Sequence, residues 1–213
     1  MNISLNLIDT NAEIEKKILT ALISVINQGF NQARPKIIEQ LQKMVREAIV
    51  SEPEYQSLLS GQLKYELGID DSSKIQNIID IWISNVDVQI QPVRITGSQL
   101  SGQISISMIK EDYSDVLSSV SASITDSNTG SVVPWLYWLL LGGGDILVQD
   151  YAVKIGPNPR SRTGNAIMVS SPQNWRMPAQ YVGVADDNWV YRAISKLDSK
   201  IENMMQTELE KSL

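Results

Sequence analysis

Apolar residues recur at three- and four-residue intervals through the first 84 positions of the chain. Ile14, Ile18, Leu22, Val25 and Ile26 follow Thr10 and Glu13, which have the spacing of a helix N-terminal capping box. Gly29 and Pro35 interrupt this stripe. Proline suits a first helical turn, so the pattern predicts a break or kink near Asn31 and a second helix carrying Ile37, Ile38, Leu41, Met44, Val45, Ala48 and Ile49. Such stripes pack against the body of a protein or, alternatively, against a neighbouring subunit. Ser51 and Glu54 repeat the capping-box spacing with Pro53 in the first turn, ahead of Tyr55, Leu58 and Leu59. Gly61 then divides these from Leu63, Tyr65 and Leu67, and Gly68 supplies a stop. Asp71 or Ser72 can cap a further helix whose apolar face is Ile75, Ile78, Ile79 and Trp82.

The period then shortens to two. Val86, Val88 and Ile90 alternate with Asp87, Gln89 and Gln91, and Ile104, Ile106 and Met108 alternate with Gln103, Ser105 and Ser107. Two antiparallel strands joined by a longish loop are expected, with Pro92 forcing an edge, bulge or turn. Asp112 can cap a short helix, and residues 126–130 read as a turn. An apolar, tryptophan-rich run from Pro134 to Leu141 is closed by Gly142, Gly143 and Gly144. Strand-like runs follow at residues 146–148, 151–155 and 166–169. Asp186, Asp187 and Asn188 are candidate caps for one long helix carrying Val190, Ala193, Ile194, Leu197, Ile201, Met204 and Met205. The expected class is α+β: a helical N-terminal region (1–84), then an α+β core (85–213) with a small, mostly antiparallel sheet and a long C-terminal helix packed on it, within one domain overall.

Composition narrows the chemistry. The chain has 213 residues, no cysteine and no histidine. Disulfides, thiolate metal sites, histidine-ligated metals and Ser-His-Asp or Cys-His catalysis are therefore excluded. The N-terminus lacks the basic and long apolar regions of a signal peptide, and the longest apolar run, residues 132–141, is about half a membrane span. A net charge of −6 argues against non-specific nucleic-acid binding by the whole surface.

The charge is unevenly placed. Residues 151–185 contain Lys154, Arg160, Arg162 and Arg176 and no acid, so they carry +4 and the remainder −10. Pro157 and Pro159 stiffen the loop that carries Arg160 and Arg162, and Gly156 and Gly164 provide its hinges. A stiff arginine loop suits bidentate contact with carboxylate or phosphate, or pairing with acids of its own chain. Trp135, Trp138 and Trp175 are core residues or contact anchors. The adjacent pairs Asp70–Asp71 and Asp186–Asp187 read as helix caps. The three glycines lack the sequence context of a phosphate loop, and Met204–Met205 reads as core. No catalytic, metal or cofactor-binding residue is nominated.

Three segments, residues 135–144, 156–168 and 175–201, resemble the neck and tail-completion (head–tail joining) proteins of tailed bacteriophages. In that family an apolar segment and a β-hairpin lead through a Ser-Arg-Thr-Gly-like loop to a Met-Pro or similar step and a C-terminal helix. Here these are Trp135 to Gly144, the Ser161-Arg162-Thr163-Gly164 loop, and Met177-Pro178 before the helix. The resemblance covers about a quarter of the chain and implies a non-enzymatic virion protein without cofactor. It implies a homo-oligomeric ring, six copies above all, around the DNA channel between head-connector and tail proteins. The protein would be assembled in the host bacterial cytoplasm, with no membrane partner and only non-specific proximity to packaged DNA. Lys154, Arg160, Arg162, Arg176, Trp135, Trp138 and Trp175 would then serve subunit or partner contacts. Two alternatives remain: another virion part, such as a baseplate or minor capsid protein, and a carboxylate-dependent hydrolase, for which no acid pair stands out.

Overall fold

A computed structural model describes residues 9–97, 99–110, 112–125 and 130–213. The turn expected at residues 126–130 and the reading of the extreme N-terminus lie largely outside these. The described chain is α+β. Its helices are α1 (Asn11–Ser51), α2 (Pro53–Ser60), α3 (Gln62–Leu67), α4 (Ser73–Ser84), α5 (Ser114–Leu117), α6 (Trp135–Leu140), α7 (Trp189–Ser195) and α8 (Asp198–Glu210). Its strands are β1 (Asp87–Thr96), β2 (Gln99–Ser107), β3 (Ile124–Thr125), β4 (Val132–Val133), β5 (Tyr151–Ile155) and β6 (Ala166–Ser170), paired in sequence order as antiparallel two-stranded sheets. Two compact units form: residues 1–40, 87–107 and 200–213, and residues 41–86 and 108–199.

In the first unit, the capping box at Thr10 is present. The Thr10 N–H donates to Glu13 Oε2 at 2.7 Å and the Glu13 N–H to Thr10 Oγ1 at 3.3 Å. The second helix expected after a break or kink near Asn31 does not form separately, because α1 runs through Pro35 as one helix. Pro35 and Asn31 are both exposed, so the carbonyl that loses its helical donor can turn to water. Gly29 has a different role. A Cβ there would lie 2.7 Å from the Ser212 carbonyl oxygen, so glycine lets the chain end beyond α8 approach α1.

The β1–β2 ladder slips between Gln91 and Arg94, the bulge that Pro92 forces. Val93 loses its ladder partners there, and the Asn27 side-chain amide supplies both. Its Nδ2 donates to the Val93 carbonyl (3.3 Å), and its Oδ1 accepts from the Val93 N–H (2.8 Å). The connection is shorter than expected, with β1 ending at Thr96 and β2 starting at Gln99.

The second unit is built on buried tryptophans. Trp82 and Trp189 meet edge to face with centroids 5.9 Å apart, and Ile75, Ile78 and Ile79 are buried on the same helix as Trp82. Asp71 caps α4, accepting from the Ser73 N–H (2.8 Å) and hydroxyl (2.7 Å). Of the three candidates before α7, Asn188 is the cap, accepting from the N–H groups of Val190 and Tyr191. The capping box expected at Ser51 and Glu54 does not form. Ser51 ends α1 with its hydroxyl on the Ala48 carbonyl, and Glu54 is buried against Arg192 at 2.6 Å. Nor is the C-terminal helix single. The Leu197 N–H turns back to the Ile194 carbonyl in a tight turn, and α8 starts afresh at Asp198. Residues 146–148 form no strand, only a bridge between Val148 and Trp175.

Candidate interaction site

β5 and β6 pair from Tyr151 opposite Ser170 to Ile155 opposite Ala166. Between them the loop is stitched to itself. The Gly156 N–H donates to the Asn165 carbonyl (2.8 Å), the Asn158 N–H to the Gly164 carbonyl (2.9 Å) and the Ser161 N–H to the Asn158 carbonyl (3.0 Å). The Asn158 side chain accepts from the Arg160 N–H at 2.9 Å, and Ser161 Oγ accepts from the Ala166 N–H at 3.1 Å. The two prolines limit the chain further, so the arginines sit on a stiff loop.

This loop forms one wall of a groove of about 690 Å³. Arg160 and Arg162 line it together with Trp138, Trp175 and Met168, and the α3 end from Tyr65 to Gly68 closes the other side. Gly68 has φ 71°, and a Cβ there would approach Arg162 Nη1 to 3.2 Å. The helix stop is thus also where the arginine lies. Trp138 and Trp175 meet edge to face, 6.0 Å between centroids. Trp175 Nε1 donates to Glu66 Oε2 at 3.1 Å, while Gln62 donates to Glu66 Oε1. Both oxygens of the groove's carboxylate are therefore engaged.

Four of the seven residues expected at contacts, Arg160, Arg162, Trp138 and Trp175, converge here, although Trp175 is buried and shows only an edge in the groove lining. The others lie apart. Trp135 is buried, its Nε1 donating to the Ser121 carbonyl at 2.9 Å, which makes it a packing residue. Arg176 is exposed and donates to the Gly144 carbonyl at 2.9 Å. Lys154 is exposed on β5. Among the described residues, neither Lys154 nor Arg160 has a side-chain hydrogen bond or ion pair.

Sequence reasoning missed the apolar surface beside the groove. Alternation puts Tyr151, Val153 and Ile155 on one face of the hairpin, opposite Ser170, Met168 and Ala166. Val153, Met168 and Ala166 line the groove, while Tyr151, Ile155 and Met168 are 42%, 54% and 40% exposed. The strand period was visible, but not which face would be left open.

Aromatic, Met and Arg side chains around an open apolar surface make the composition of a protein contact. Among the described residues, no cluster of three or more acidic side chains is placed to hold a metal ion, and no helix is long and apolar enough to cross a membrane. No protein-family model, curated protein or solved structure matches the chain.

Proposed function

We propose that this chain is a structural protein of a tailed-bacteriophage virion, a neck or tail-completion component that works as a ring, most simply of six copies, between the head connector and the tail. The observation that carries the reading is the groove. The segments that resemble the family bring Trp138, Arg160 and Arg162 together over the buried Trp175, and the arginines ride on a stiff loop. The function is contact: the apolar surface contributes to binding through its burial, and the cations select an acidic neighbour. The chain needs no cofactor for this and performs no catalysis.

The test is a reconstruction of the virion together with the double variant Arg160→Glu/Arg162→Glu. The expected result is a ring of copies on the tail axis, and a variant that folds but does not support head–tail joining. Isolated copies away from the axis, or normal joining by a folded variant, contradict the proposal.

A further inference from the structure

The second open apolar surface lies on α1. Ile18, Leu22 and Val25 are 55%, 43% and 53% exposed, and with Ile14 they share one helical face. The remaining large exposed apolar side chains, such as Val120, Tyr137 and Tyr191, fall on separate elements. Among the described residues there are therefore two coherent apolar surfaces, and their charges are opposite. Glu15 lies seven residues before Leu22, on the same side of the helix, and has no ion pair among the described residues. Lys17, by contrast, is already paired with Asp9 at 2.6 Å. At the β5–β6 surface the charge without a side-chain partner among the described residues is Arg160, which lines the groove; Lys154 alternates to the other face of the hairpin.

The dimensions also agree. Ile14 to Val25 spans about 16 Å of helix at 1.5 Å per residue. Tyr151 to Ile155 spans about 13 Å of strand. An amphipathic helix laid in an apolar groove is anchored by side chains three and four positions apart, as Ile14, Ile18, Leu22 and Val25 are.

We propose that the Ile14–Val25 face of α1 in one copy docks on the β5–β6 face and Trp138/Trp175 groove of a second copy, with Glu15 set against Arg160. Because the two surfaces differ, the contact is head to tail, each copy keeps one of each surface open, and repetition closes a ring or extends a filament. The inference rests on the exposed surfaces alone. Self-association in solution tests it whether or not the chain belongs to a virion.

The chain has no cysteine, so an engineered thiol is unique. Ile18→Cys and Met168→Cys proteins are prepared separately, mixed and treated with a short bis-maleimide, with Leu22→Cys and Ile155→Cys as a second pair. All four positions are exposed or at the surface, so the variants fold. The expected product is a dimer joining Ile18→Cys to Met168→Cys, absent when either protein is treated alone. Arg160→Glu in the Met168→Cys chain lowers its yield, and Glu15→Arg in the Ile18→Cys chain recovers part of the loss. No mixed dimer from either pair, or a dimer formed by the Ile18→Cys protein alone, overturns the proposal.

Discussion

The two halves of α1 carry one apolar stripe and meet different surroundings. Gly29, Ala33, Ile37, Leu41, Val45 and Ile49, spaced by four, are all buried. Ile14, Ile18, Leu22 and Val25 continue the same line toward the N-terminus, and the last three are open. An amphipathic pattern thus records that a face will be covered, not that its own chain covers it. The buried half contributes to folding; the open half is available to a partner.

Replacing equivalent residues in the two halves gives the largest expected contrast. Ile37→Ala leaves a cavity in packed surroundings and should cost about 2–5 kcal/mol in denaturant unfolding. Leu22→Ala should change stability by less than about 0.5 kcal/mol, as surface substitutions do. Equal losses would show that the N-terminal half of α1 is also part of the folded core.

The same division applies to ion pairs. Glu54 is buried and its partner Arg192 is partly covered, whereas Arg46 and Asp80 are both exposed. Burial alone would lower the Arg192 pKa, but its hydrogen bonds to Asp187 and Glu54 outweigh that and raise it. Arg192→Ala strands a buried carboxylate and should cost about 2–3 kcal/mol, toward the lower end for a broken buried pair because water reaches the arginine. Arg46→Ala should cost less than about 1 kcal/mol. Thermal unfolding of the two variants side by side checks the order.

Acid should act on both units together. The Thr10 N–H holds Glu13 below the ordinary 4.5, and the Ser73 hydroxyl and Ser114 N–H hold Asp71 and Asp112 below 3.8. Lys211, then Gln40, do the same for Glu208. Each folded pKa is depressed, so the stability it contributes is complete above the ordinary value and is lost as pH falls through the folded one. With no histidine, the midpoint should be flat from about pH 6 to 8 and fall below about pH 4.5. A decline already complete at pH 6 would contradict this assignment. The smallest effect is expected from Thr10→Ala. It removes the cap's side chain at the exposed start of α1, lowering helix content slightly while leaving the unfolding midpoint nearly unchanged.

Local chemistry was legible in the sequence, and distant pairing was not. The Thr10 cap, the Gly68 stop, the Asp71 cap and the Pro92 bulge each depend on neighbours within a few positions. Pro35 misled because solvent exposure, invisible in the sequence, makes its missing N–H tolerable. Glu54 has the spacing of a capping residue, but tertiary structure gives it to Arg192, 138 positions away. The basic loop could be read from charge and proline spacing. Its meeting with Trp138, Trp175 and Glu66 could not, since Glu66 and Trp175 are 109 positions apart.

The measurement that bears most directly on two unlike, mutually complementary surfaces is sedimentation of disabled variants, alone and mixed. Leu22→Asp removes the helix surface and keeps the hairpin surface; Met168→Asp does the reverse. Wild-type protein should associate, each variant should sediment as a monomer, and the equimolar mixture should form a one-to-one dimer through its one intact contact. If both variants associate like wild type, or if the mixture stays monomeric while wild type associates, the head-to-tail account is wrong.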